Sequence, residues 1–161
     1  AINSAVLLQH TPIDVWSVLD GPGPMSDVLG RVRATDGELP LVWCREPHAV
    51  VWHSIGFRTW EHPARSDDFS ALFRRACDPD INYTGLTILA TLARVVASGA
   101  KRIELYGCDM AGTGYAFGAD ARKRGAHQWS ERWKAEGELV SMVLERWRQR
   151  GVTITRHLPT A

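Results

Sequence analysis

A chain of 161 residues can bury a core without disulfide or metal staples. Its 45% hydrophobic and 23% charged residues are an ordinary globular balance, and a formal net charge of +1 argues against a dedicated polyanion binder, so nucleic acid is not favoured. Cys44, Cys77 and Cys108 are odd in number and form no CxxC pair, which argues against a disulfide framework and suits a reducing compartment. No apolar run is long enough for a membrane span, and no basic-then-apolar leader opens the chain, so a cytoplasmic location is the default expectation.

In chain order, Asn3 to Gln9 can form a short helix, and Asp14-Val-Trp-Ser-Val-Leu-Asp20 reads as a strand ending in an acid. Gly21-Pro-Gly-Pro24 forces a turn. Ser26 to Val32 suits a helix and Leu41-Val-Trp-Cys44 a buried strand, while Ala49 to Trp52 and Ile55 to Trp60 read as two further extended segments. Residues 61–82 are polar and Pro-bearing, with one helix expected over Phe69 to Ala76; they read as a lid or insertion. A glycine-rich loop spans Met110 to Gly118. A long helix is expected from about His127 to Arg150, with Trp133, Val140, Val143, Leu144 and Trp147 on its apolar stripe. Gly151 stops it, and Val152 to Thr155 form a last strand. This alternation of helices and strands predicts one α/β domain over residues 1–161, a doubly wound, mostly parallel sheet.

The richest stretch runs from Asn82 to Asp109. Thr84 is placed to cap a helix, and Gly85 lets a ligand approach the first exposed amides. Leu89, Leu92, Ala93 and Val96 recur at helical spacing, and Gly99 ends the helix. Ile103, Leu105 and Tyr106 form a short buried strand that leads to Asp109. Open α/β sheets bind ligands beyond the carboxyl ends of their strands, where Asp109 would sit. The chain itself opens at Ala1-Ile-Asn3 like a strand already in progress, so a preceding first strand and turn are expected to be missing from it.

Tyr83-Thr84-Gly85, then Gly99-Ala-Lys101-Arg-Ile103-Glu-Leu105-Tyr-Gly107-Cys-Asp109, then Gly114-Tyr115-Ala116-Phe117 resemble the core of metal-independent bacterial sialyltransferases with a single Rossmann-like domain. A similar pattern occurs in archaeal 6-hydroxymethylpterin diphosphokinase-like proteins and in phage-encoded relatives. The front of the chain, Ile2-Asn3 followed by the strand ending at Asp20, is similar to that group as well. The resemblance implies a Rossmann-like fold of the GT-A variant, with Asn3, Asp20, Thr84, Gly85 and Tyr115 around a donor nucleotide and His127 as general base on the acceptor hydroxyl. It departs at two places: the family's amino-terminal glycine-rich turn is missing, and Met110-Ala-Gly-Thr stands where a second tyrosine is expected.

Elementary chemistry supports the same roles. The Thr84 hydroxyl and following amides suit a phosphate, Asp20 can accept from a ribose hydroxyl or base amine, and Tyr115 can donate to a leaving phosphate. Each has a purely structural alternative: a plain cap for Thr84, a turn residue for Asp20, a brace for the glycine loop at Asp109 and a helix cap at His127. The other histidines, His10, His48, His53, His62 and His157, show no ligand spacing, and no metal is assigned.

Three functions follow as alternatives. The first is a nucleotide-sugar-dependent glycosyltransferase, of phage or prophage type, with no cofactor beyond its donor and an acceptor the sequence does not specify. The second is an ATP-dependent diphosphokinase, which would need Mg²⁺ at carboxylates such as Asp20 and Asp109. The third is a noncatalytic interaction module, marked by an exposed Trp-rich patch. Seven tryptophans are compatible with a homo-oligomer; one reading has most of them filling a core or its rim, and the alternative has one or two stacking on a base or sugar ring. Arg122-Lys-Arg124 reads as a solvated loop, or as a grip for an acceptor phosphate or a nucleic acid.

Overall fold

Strands and helices alternate along the chain, and among the described residues every strand pairing is parallel. The computed structural model describes residues 13–19, 21–23, 26–34, 38–106 and 126–157. The chain divides into two compact units, Ala1–Gly99 and Ala100–Ala161. The fold is α/β, as expected, but its described strands form a three-stranded and a two-stranded sheet instead of a single one.

The first unit holds β1 (Val15–Ser17), α1 (Ser26–Ala34), β2 (Leu41–Arg45), α2 (Glu46–Ser54), β3 (Thr59–His62), α3 (Ser66–Leu72), a 3-10 turn (Tyr83–Gly85) and α4 (Thr87–Ala97). Its sheet runs in the order β1-β2-β3, with Trp16 opposite Val42, Trp43 opposite Trp60 and Arg45 opposite His62. Side chains alternate across a strand, so the two faces of this sheet carry different residues. One face presents Trp16, Val18, Val42 and Cys44 to Val28 and Val32 of α1, Ala49 and Trp52 of α2, and Phe57. Trp16, Trp52 and Phe57 meet edge to face, with centroids 5.3 to 6.0 Å apart. Each such pair contributes roughly 1 kcal/mol beyond area burial. The opposite face presents Ser17, Trp43 and Trp60 to α4, whose Thr91 bonds Ser17 and whose Arg94 lies on both indoles. Helices therefore cover both faces of this sheet.

Two expectations are corrected here. Ala49 to Trp52 is helical, because Pro47 opens a helix, Glu46 complements its first turn, and the three-residue spacing of Ala49 and Trp52 buries one side. Val50 and Val51 point outward and are 77% and 45% exposed. The helix expected over Phe69 to Ala76 runs instead over Ser66–Leu72, where Asp67 and Asp68 favour a first turn and Phe73 stands at the C-cap. Within residues 61–82, Phe69, Ala76, Cys77 and Ile81 are all buried.

The second unit holds β4 (Arg102–Tyr106), α5 (Ala126–Gln149) and β5 (Thr153–His157). Val140, Val143, Leu144 and Trp147 of α5 are buried, as are Ile103, Leu105, Val152 and Ile154, so α5 has the apolar stripe its periodicity predicts. Gly151, at φ +86°, ends the helix, and the Val152 amide then donates to the Trp147 carbonyl at 3.0 Å. Alternation leaves Arg102, Glu104 and Tyr106 on the polar face of β4.

Candidate functional site

The turn before α4 is built by Asn82. Its Oδ1 accepts from the Thr84 amide at 3.0 Å and from the Thr84 hydroxyl at 2.8 Å, while the Gly85 amide donates to the Asn82 carbonyl at 3.4 Å. Short polar side chains compete for nearby backbone in this way, producing Asx-type turns. Thr84 is consequently buried, and its hydroxyl proton is already given to Asn82. This corrects the expectation that Thr84 caps the helix that follows it, α4. The residue at the N-cap of α4 is Leu86, in extended conformation, and it offers no side-chain cap. The amides of Ile88 and Leu89 therefore begin α4 without an intrahelical partner or a side-chain acceptor from the cap position.

Gly85 is exposed, and its conformation needs no glycine. A β-carbon there would meet Asn82 Nδ2 at 3.7 Å and Cγ at 3.8 Å, an ordinary van der Waals distance. Nothing inside the described protein demands the missing side chain.

The turn stands at the carboxyl end of β2, because Arg45, the last residue of that strand, donates from Nη2 to the Thr84 carbonyl at 2.8 Å. Arg45 Nε is buried without a hydrogen-bond partner. His62 closes β3 beside it in register and is buried. A ring nitrogen, Nδ1, lies 3.1 Å from the Pro63 carbonyl, so that nitrogen carries the proton. Burial holds the His62 pKa below its ordinary value, the Pro63 contact opposes this, and the Arg94 and Arg45 charges depress it further. His62 is thus a neutral imidazole packed edge-on against Phe69.

Arg94 completes this face. Its guanidinium carbon lies 4.5 Å from the Trp43 ring centroid, 4.6 Å from that of Trp60 and 5.9 Å from that of Phe73. The side chain is buried, and Nη1 has no hydrogen-bond partner. Cys44 and Cys77 supply no nucleophile: burial is the main cause that pushes each thiol up to about 11.

In the second unit, His157 bonds Glu104 Oε2 through Nε2 and stacks on Tyr106, with ring centroids 4.2 Å apart and planes 3° from parallel. Arg102 donates to Glu104 Oε1 from Nε at 2.8 Å and from Nη2 at 2.6 Å. The His157 bond, then that of Arg102, holds the Glu104 carboxyl below the usual range. His157 carries no sequence signal for this cluster, because only the parallel register sets it opposite Tyr106.

Of the residues expected at a nucleotide site, Thr84 and Gly85 are adjacent in the turn, although the Thr84 hydroxyl serves Asn82. His127 is the second residue of α5, where the sequence predicts a helix start. Its side chain lies outside the described residues, as do Asn3, Asp20, Asp109, Tyr115, the loop 110–118, Arg122 to Arg124 and the Asn3 to Gln9 segment. Among the described residues no three His, Cys, Asp or Glu side chains group as metal ligands, and no helix is long and apolar enough to cross a membrane. Comparison with protein-family models, with curated proteins and with solved structures found no match.

Proposed function

We propose that this chain is a Rossmann-like nucleotide-binding domain that transfers a sugar from a nucleotide donor to an acceptor hydroxyl, in the manner of the metal-independent sialyltransferases it resembles. The observation that carries the reading is the start of α4. An exposed glycine precedes an uncapped helix end, and Arg45 fixes that turn at the carboxyl end of a central parallel strand. Helix starts in this position attract phosphate oxygens through their amides and the helix dipole. Donor phosphates would dock at Gly85 and the Ile88 and Leu89 amides, one turn beyond the Thr84 hydroxyl. Asp20 would hold the ribose or base, Tyr115 would donate to the departing phosphate, and His127 would take the acceptor proton. Helices on both faces of the β1-β2-β3 sheet support the doubly wound architecture this requires.

The test is a thermal-shift titration of the chain with cytidine and uridine mono- and diphosphates. One of them is expected to raise the melting temperature. Gly85→Ala is expected to leave ligand-free melting within about 0.5 kcal/mol of the parent, since the added methyl meets only ordinary contacts. The same substitution should reduce the nucleotide shift. A parent chain indifferent to every nucleotide would remove this reading.

A further inference from the structure

Arg94 is more than the stacked cation of a structural sandwich. It is buried on the face where Trp43 and Trp60 stand in register, with only 9% of its surface exposed. Among the described residues no carboxylate pairs with its guanidinium. The charge that most directly favours its protonation is that of Cys44, a buried thiol that is protonated at neutral pH, so it provides no counterion. His62, on which the Arg94 charge acts, is held neutral and adds no negative charge. A buried guanidinium without an anion is costly, and a buried donor without a partner is one place where a water, an ion or a ligand group binds. Two indoles fix the plane of the group, and its fork of donors matches tetrahedral oxyanions.

We propose that Arg94, framed by Trp43 and Trp60, is the floor of a phosphate subsite. Trp60 is its outer wall. It lies on β3, the last strand of the sheet order, and is 52% exposed, whereas Trp43 is 8% exposed. Outward rotation of the Trp60 ring uncovers Nη1 for a phosphate oxygen. The subsite goes beyond the transferase reading and stands even if no sugar is transferred; the phosphate can be inorganic or part of a nucleotide.

The test uses the full chain and inorganic phosphate, titrated against chloride at matched ionic strength, with melting temperature and calorimetric affinity as readouts. Phosphate is expected to raise the melting temperature. Arg94→Met should abolish that rise and, in phosphate-free buffer, melt at or above the parent, because methionine fills the gap between the rings without a charge. Arg94→Lys keeps the charge but not the planar fork and should weaken phosphate by about tenfold. Trp60→Leu should retain the rise. A parent chain blind to phosphate overturns the proposal, as does an Arg94→Met variant that keeps the phosphate shift. An Arg94→Met variant that melts well below the parent without phosphate, or fails to fold, also overturns it by showing the guanidinium to be structural. Tighter binding of uridine diphosphate than of phosphate would assign the subsite to a nucleotide, and equal binding to a free phosphate. A nucleotide shift that survives in Arg94→Met, where the phosphate shift is lost, would assign the subsite to free phosphate and leave the transferase reading standing.

Discussion

Asn82 offers a sharp separation of architecture from binding. Its Oδ1 accepts two hydrogen bonds from Thr84, whose side chain is 6% exposed. Asn82→Ala strands both donors, an amide and a hydroxyl, at a buried residue. Each lost bond costs about 1 kcal/mol, so the pair is worth about 2 kcal/mol, limited by the exposure of Asn82 itself. For a chain of this size that corresponds to a melting decrease of about 4–8 °C. Asn82→Asp keeps an acceptor oxygen in place and adds a negative charge near the start of α4 and near Arg45, so its stability should stay within about 0.5 kcal/mol of the parent. The same added charge opposes an incoming phosphate and should weaken nucleotide binding by roughly tenfold, through a like charge a few ångströms away. Thermal melts and urea titrations of both variants, paired with nucleotide titration, measure the two effects. The reasoning fails if Asn82→Asp loses as much stability as Asn82→Ala, because the acceptor would then not be what holds the turn.

His62 gives a pH signature. Its folded pKa lies below the ordinary 6.5, so the unfolded chain binds more protons in that window, and stability present above pH 6.5 should be lost as pH falls below it. Urea midpoints between pH 7.5 and 5 should show the decline, and a His62→Gln variant that retains the full slope would refute this origin. Gly151→Ala should destabilise the second unit by about 1 kcal/mol, since φ is +86° and no atom within 4 Å would resist the methyl. An unchanged melting temperature would contradict that backbone account.

Legibility in the sequence tracked how local the determining physics was. The helix ends at Gly99 and Gly151 were readable because both residues take positive φ, a preference carried by single residues. The stripe of α5 was readable because Val140, Val143, Leu144 and Trp147 repeat at the helical period. At α2, Val50, Val51 and Trp52 made a contiguous apolar run, whose exposure is decided by which side meets the sheet. The turn before α4 is held by Asn82 instead of Thr84, because the Asn82 carboxamide oxygen takes both the amide and the hydroxyl proton of Thr84. An Asn two residues ahead of a Thr was the available signal. Arg94 was illegible as a site residue because its surroundings come from Trp43, Trp60 and Phe73, which lie at least 21 positions away in the chain. The clustering of Glu104 and His157 likewise depends on strand pairing across the α5 connection.

Between Ser17 and Thr91 the two hydroxyls stand 2.5 Å apart, and Thr91 gives its own proton to the Thr87 carbonyl at 2.7 Å, so Ser17 is the donor between them. Oily surfaces can slide past one another at little expense, but this contact is a dowel. Moving the helix along the sheet by one residue would strand the Ser17 proton in a place with little water. The amides at the tip of α4 are therefore presented at a set height above the strand ends, and whatever binds there must fit that height, because the helix is pinned against shifting to meet it.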